Sequence, residues 1–556
     1  MGVPDETKKL SDETEISNLA NNNVPTTVKK GQRFWITIIA LGFAGLLTAL
    51  EATVTSTAMP SIIAELGGGN AYIWAINGYL LALTSLQPLF GQLGDVFGRK
   101  WPMVIATALF ILGSGICGGA TNMSMMIAGR IIQGVGASGI NVFIEVIICD
   151  LLPLRERGKY MAIIFGLVSL GTALGPFFGG LIVDSTTWRW VFYMILPIGA
   201  VSLVFLTIAL PSNFNRDTTL AAKLKKIDWT GNVIFIGAVS SIFIALAWAG
   251  VVYSWKSYQI LVPLLVGFAG LGGFLGYEAS HFAQQPMMPL RLLSNRTSAA
   301  VFLITFFHAI ISMWTLYFLP VYFQGVLSSS PRTSGLQLLA TILVMIPAAA
   351  SGGVLLSKFG SYIPIHYVSS GIAIIGFGLF TLLDENSSAG AWIGFQIIEA
   401  IGVGVIIPTL LPAVLAPLSD ADTGLATGTW SFFRSFGMSW GTAIPAAIFN
   451  NRFDELSGST IADEALRAQV TGGRAYEHAT AAFLKTLSGE NRADFIATLD
   501  ESLRRTWQVS IGFSVIVFLL VFLEKKVALR NELDTEFGFK EGKADVGSTS
   551  SEEVKP

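Results

Sequence analysis

Apolar runs long enough to cross a lipid bilayer recur along this chain, and no other feature restricts its fold as tightly. A spanning helix needs about 20 predominantly apolar residues. Runs of that order, bounded by polar residues or by Pro and Gly, lie near 34–58, 72–92, 102–121, 124–149, 160–182 and 189–210. After a basic stretch from Arg216 to Lys226, further runs follow near 230–251 and 259–278, then near 299–325, 335–357, 364–383, 391–417, 424–449 and 506–523. The expectation is an all-α polytopic membrane protein with fourteen spans. Only 13% of the 556 residues are charged, against roughly a quarter in an average soluble domain, which excludes an ordinary soluble enzyme.

Charge is informative by position. The net charge of −2 offers no basic surface for nucleic acid. With the N-terminus inside, the short inner loops hold twelve Lys and Arg, among them Arg99, Lys100, Arg155, Arg157 and Lys159, whereas the short outer loops hold only Arg189, Lys256 and Arg332. The positive-inside rule therefore favours an even number of spans with both termini cytoplasmic. The N-terminal polar run lacks a basic n-region and a small-residue cleavage site, so it reads as a retained tail. The sequon at Asn386 falls in a short outer loop and is a candidate glycosylation site.

Several chemistries lack their residues. Cys117 and Cys149 sit inside apolar runs, which leaves neither a disulfide framework nor a cysteine zinc site. The four histidines have no metal-ligand spacing, and no phosphate-binding loop of the G-x-x-x-x-G-K-[ST] type occurs. No metal and no cofactor is expected. One G-x-S-x-G match, Gly437 to Gly441, lies inside an apolar run and reads as small residues for close helix packing, not as a nucleophile.

What remains is a set of ionisable residues within the spans: Glu51, Arg130, Glu145, Glu399 and Arg434. Such groups are costly in hydrocarbon and face an interior cavity or a partner. Arg130, Gly134, Ala137, Asn141 and Glu145 recur at helical spacing on one face. Arg130 and Glu145 stand roughly 22 Å apart along that helix, too far to pair, so each needs a partner elsewhere. A carboxyl group among apolar spans, such as Glu51, is suited to taking up and releasing protons. For Arg130, Glu145 and Arg434 a plain structural ion pair competes with any transport role. Glu399 has no motif around it and reads as structural.

Gly91-Gln92-Leu93-Gly94-Asp95-Val96-Phe97-Gly98-Arg99-Lys100 resembles the G-x-L-x-D-x-x-G-R-K signature of the major facilitator superfamily. The resemblance implies that Gly91, Gly94, Asp95, Gly98, Arg99 and Lys100 govern the switch between conformations. Gly171 to Gly180, with Gly175, Pro176 and Gly179, looks like the fifth-helix antiporter motif, which bends a helix at the interface of the moving halves. Arg130 to Ala137 is similar to the fourth-helix motif whose Arg is implicated in proton transfer, and Leu50 to Pro60 resembles the first-helix motif with Glu51 in place of the usual Asp. Thr429 to Gly437 looks like fungal members of the fourteen-span drug:proton antiporters. Proton coupling through Glu51, Arg130 and Glu145 is what this resemblance implies.

A degenerate echo of the loop signature at Gly353 to Gly360 supports two six-helix halves. The expected division is a disordered cytoplasmic tail 1–33, a first half 34–210, a cytoplasmic linker 211–229, two inserted and peripheral helices 230–278, a cytoplasmic loop 279–298, a second half 299–523 carrying an extracellular loop 451–505, and a disordered tail 524–556. Trp74, Tyr79, Phe306, Phe307, Trp314, Tyr317, Trp430 and Phe433, with Gln133, Asn141 and Arg434, are candidates to line an apolar cavity, although any one aromatic serves as readily in packing. The resulting expectation is a monomeric, proton-coupled exporter of lipophilic toxins, secondary metabolites or drugs in the plasma membrane, the vacuolar membrane being the alternative site. A siderophore, polyamine or nutrient carrier of the same fold, and a non-transporting sensor, are the competing readings.

Overall fold

The computed structural model describes residues 31–67, 71–210, 219–250 and 252–530. Within the first half the principal helices are α1 (Gln32–Leu66), α2 (Tyr72–Ser85), α3 (Gln87–Phe97), α4 (Lys100–Gly118), α5 (Met123–Leu151), α6 (Leu154–Ser185) and α7 (Ile195–Ala209). The inserted pair is α8 (Trp229–Trp248) and α9 (Tyr258–Glu278). The second half holds α10 (Arg296–Val321), α11 (Pro331–Phe359), α12 (Ile363–Phe380), α13 (Ala389–Leu415), α14 (Thr423–Thr460) and α15 (Gly489–Val521). No strand is present among the described residues.

Local chemistry sets the helix ends. Asn122 caps α5 by accepting from the Met125 N–H at 2.9 Å, and Ser330 caps α11 by accepting from the Thr333 N–H, with Pro331 opening the helix. The expected span 72–92 is broken: α2 and α3 meet at Leu86 with a 44° bend. Pro88 has no N–H for the carbonyl four residues back, and its ring crowds that carbonyl.

Among the described residues, eleven helices are long and apolar enough to cross a membrane, or twelve with the bent pair taken as one span. α6 and α14 have the length but are less uniformly apolar, so the helices are consistent with fourteen spans. Apolar side chains such as Ile105, Ile208, Leu265 and Val266 are exposed on the outer surface, as a hydrocarbon environment requires.

The two halves repeat the same pairings. In the first, α1 packs on α6 and α7, and α5 on α2 and α4. In the second, α10 packs on α14 and α15, and α13 on α11 and α12. Across the seam α3 meets α14 and α6 meets α11.

Three boundaries differ from expectation. Helices α14 and α15 continue well past the apolar runs, so the connection between them is 461–488 and not 451–505. It holds the short helices Glu464–Val470, Ala475–His478 and Ala481–Leu484 and is folded onto the second half, with Phe483 against Phe495 and Tyr476 against Phe318. Residues 524–530, expected to open the tail, are instead seated. Glu524 bonds His366 at 2.7 Å, the Lys525 N–H donates to Thr297 Oγ1 at 3.0 Å, and Arg530 pairs with Asp420 at 3.1 Å. Residues 1–30 and 531–556 of the expected tails lie outside the described residues.

The inserted pair is only half peripheral. α9 is largely exposed, but α8 packs against α2 and α14, one from each half. Phe235 of α8 stands 4.8 Å from the Phe432 ring, and Trp248 stands 6.4 Å from Trp74. The physical reason is that α8 is apolar on every face, so it buries one side against the seam and leaves the other for lipid.

At the end of the molecule away from Arg99, the Trp188 indole N–H and the Arg189 guanidinium each donate to Glu65 at 2.7 Å. They hold the Glu65 carboxyl below the usual carboxylate range. The contact ties the end of α1 to the turn before α7.

Candidate functional site

The ionisable stripe on α5 finds its two partners on different sides. Toward one end of the helix, Arg130 forms an ion pair with Glu51 of α1, and both are buried. The guanidinium also donates to the Ala75 carbonyl of α2 at 2.9 Å and to Gln133 Oε1 at 2.7 Å, and lies 4.2 Å from the Tyr79 ring centroid. Gln133 in turn donates to Ser114 of α4 at 2.8 Å. One network thus joins α1, α2, α4 and α5. The Glu51 carboxyl uses one oxygen for everything: Oε1 accepts from Arg130 and from Thr55 Oγ1 at 2.8 Å, whereas Oε2 has no partner.

Toward the other end, Glu145 crosses to the second half. Its Oε1 pairs with Arg434 of α14 at 2.7 Å and its Oε2 accepts from Ser431 at 2.5 Å. Arg434 lies over Trp430 at 4.6 Å and over Phe165 of α6 at 5.4 Å. A second cross-seam bond runs from Gln87 to Ser435 at 3.0 Å. Gln87 and Ser431 were not among the expected residues. Their sequence signals were a glutamine inside an apolar run and, for Ser431, a place within the Thr429 to Gly437 segment three residues before Arg434.

The loop signature is assembled at the end of α3. Arg99 bonds Asp95 and Asp150, each at 2.7 Å. Asp95 sits beneath Gly424 at the N-terminus of α14, where the helix dipole favours a negative charge. Each glycine has a separate duty. A Cβ on Gly91 would lie 2.7 Å from the Gly424 carbonyl, and one on Gly94 would lie 2.7 Å from the Phe143 ring. Gly98 has a φ of 79°, which favours a residue without Cβ at the turn into α4. Lys100 opens α4 and is half-buried.

The fifth-helix glycines sit elsewhere than their motif suggests. Gly171 and Gly175 face α1 within the same half, against the Leu46 carbonyl and Thr53. Two small residues one turn apart let α1 and α6 approach closely, so they belong to that packing and not to the contact with α11 across the seam. The cross-half contact of α6 runs through Gly158, packed backbone to backbone against Gly353 of α11. Gly179 is buried, Gly180 borders open space, and the Pro176 side chain lies outside the described residues.

Of the candidate cavity residues, Tyr317 is exposed, and Trp74, Asn141, Phe306, Phe307, Phe433 and Arg434 are half-buried. Trp314 has no exposure: it packs against Phe513 of α15 at 5.1 Å because its helix turns that face to the interior of the half. Trp430 is buried with its N–H donating to Thr305 at 2.9 Å, and Phe433 stacks on Phe302. Trp74 faces α8, while Tyr79 and Gln133 are enclosed in the Arg130 network. A cavity of about 510 Å³ does open between α2, α8 and α14, lined among others by Asn77, Phe243, Trp255, Thr442, Asn450 and Asp454, none of them anticipated.

Against known proteins, residues 41–442 match the family model described as Major Facilitator Superfamily. The chain belongs to the major facilitator superfamily. The MFS-type transporter pydD of Acremonium sp is 56% identical, with 97% of this chain and 93% of that protein covered. The efflux pump FUS6 of Gibberella fujikuroi is 41% identical over 96% of this chain and 97% of its own. Among solved structures, the human organic anion transporter MFSD10 shares the fold with a TM-score of 0.57 at 14% identity, covering 88% of this chain and 100% of its own. The proton:xylose symporter XylE gives 0.55 at 14% identity, covering 85% and 98%.

This major facilitator protein is therefore a multi-pass membrane transporter, and its seam is closed at the Arg99 end. Closure there depends on the absence of side chains at Gly158 and Gly353. Gly353→Leu is expected to reduce cross-linking of a cysteine pair placed on α6 and α11 beside the Gly158–Gly353 contact, with both glycines kept in the reference protein, by about tenfold, since overpacking costs roughly 1–3 kcal/mol. Unchanged cross-linking would show that the seam closes without that contact.

Proposed function

We propose that this major facilitator transporter exports lipophilic small molecules by proton antiport, with the two halves rocking about the seam. The observation that carries the reading is Glu51, a fully enclosed carboxyl group held by Arg130 through one oxygen while the other lacks a partner. That free oxygen is where a proton binds. Protonation removes the charge that holds Arg130, which then rests on the Ala75 carbonyl, Gln133 and the Tyr79 face. Because Ala75 lies on α2, which continues through the bend into α3, the change reaches Gln87–Ser435 and the Gly91–Gly424 contact between the halves.

Two further facts support export. Curated relatives covering nearly the whole chain are named efflux pumps, and the seam pairs its few charges, which suits an uncharged apolar cargo. The role of Glu145–Arg434 is to hold the halves together until cargo or proton binding releases them. We place the protein in the plasma membrane as a monomer with both termini cytoplasmic, which puts the exposed Asn386 outside as a glycan acceptor.

The test is efflux of a panel of lipophilic dyes and toxins from cells expressing the chain, with and without a protonophore. Export of at least one compound, abolished by the protonophore, is expected. Export that continues after the gradient is collapsed sinks proton antiport; no export of any compound sinks the exporter.

A further inference from the structure

Glu399 lies well inside α13 (Ala389–Leu415), and only 1% of its surface is exposed. Its Oε1 accepts from Thr315 Oγ1 of α10 at 2.8 Å, and its Oε2 has no partner. Among the described residues no cation pairs with it, in contrast to Glu51 and Glu145. Several ionisable groups on the helices packed against α13 are engaged elsewhere: Arg452 of α14 pairs with Glu455, and Arg332 is exposed in the first turn of α11. His308 of α10 bonds the Val403 carbonyl, and His366 of α12 bonds Glu524 and Thr409. Arg434 of α14 is held by Glu145, Arg155 of α6 binds the Ser357 and Lys358 carbonyls, and Lys358 sits in the last turn of α11.

A lone ionised carboxylate in such a place costs far more than any hydrogen bond from one hydroxyl returns. α12 closes directly on the base of this side chain, since a Cβ on Gly376 would lie 2.7 Å from the Glu399 Cβ. We propose that Glu399 is a second proton-binding site, one in the second half to match Glu51 in the first. The proton sits on Oε2, while Oε1 keeps the Thr315 hydrogen bond. The functional weight of this site rests on the proton-antiport reading, in which two sites allow more than one proton per cycle; the site itself does not.

Infrared difference spectroscopy of the full-length protein in lipid nanodiscs, stepped from neutral to alkaline pH, tests it. The wild type minus Glu399→Gln difference is expected to show one protonated-carboxyl band that the wild type minus Glu51→Gln difference lacks. Thr315→Val is expected to move that band to higher frequency by removing its hydrogen bond, and this variant serves if Glu399→Gln does not fold. Absence of the band from the Glu399→Gln difference, or a band indifferent to Thr315→Val, overturns the proposal. A band that is present while dye efflux proves independent of the proton gradient supports the site and removes only the antiport reading.

Discussion

Glu51→Gln abolishes the dependence of efflux on the pH gradient while the protein still reaches the membrane at normal level. Glutamine keeps an oxygen for Arg130 and Thr55, so the network that joins α1, α2, α4 and α5 retains its hydrogen bonds. What it loses is the ability to change charge. Coupling between two bound species is worth about 5–150-fold in affinity, and that enhancement falls to near one when the titrating group is gone. The comparison that matters is the ratio of efflux with and without an imposed gradient, normalised to expression. An unchanged ratio would remove Glu51 from the mechanism. Glu51→Leu is the harsher control: it strands a buried Arg130, a change that costs about 3–5 kcal/mol, and is expected to lower the amount of folded protein.

Arg434→Met destabilises the purified protein by about 3 kcal/mol, and adding Glu145→Gln recovers most of that loss without recovering transport. Glu145 is almost completely enclosed, and removing Arg434 leaves its charge with only the Ser431 hydroxyl. Breaking one side of a buried pair is costly because the other charge stays behind, whereas replacing both can be nearly neutral. Stability is read from thermal unfolding in detergent and transport from dye efflux. The pair spans the seam, so the double variant folds but lacks the tie between α5 and α14. A single variant as stable as wild type would mean that solvent already screens the pair; wild-type efflux in the double variant would mean that the seam does not depend on it.

The sequence carried a great deal of this. Apolar run length requires spanning helices because bilayer hydrocarbon leaves a backbone group nothing else to bond with, and the loop signature pointed to the superfamily before any geometry was available. The 3.6-residue period put Arg130 and Glu145 on one face, and the rise per residue showed that they cannot reach one another.

Which residues would answer them was out of reach. The need of a buried charge for a partner specifies a sign and not an address, and the answers lie in α1, 79 positions before Arg130, and in α14, far beyond Glu145. The same limit hid Gln87–Ser435 and the seating of 524–530 on α10, α12 and the turn before α14. Run length ends where polar residues begin, yet α14 and α15 continue as helices because folding onto their neighbours, with Phe453 against Phe495, replaces the bilayer as apolar surroundings. Composition could not distinguish a peripheral hairpin from one whose first helix closes on the seam, since α8 is apolar all round. The amino-acid sequence thus determined that this protein lies in a membrane, where its apolar spans run and which of them carry charges. Only the tertiary structure decided which helices those charges join, because that depends on shape-complementary packing between segments far apart in the sequence, 79 positions for Arg130 and Glu51.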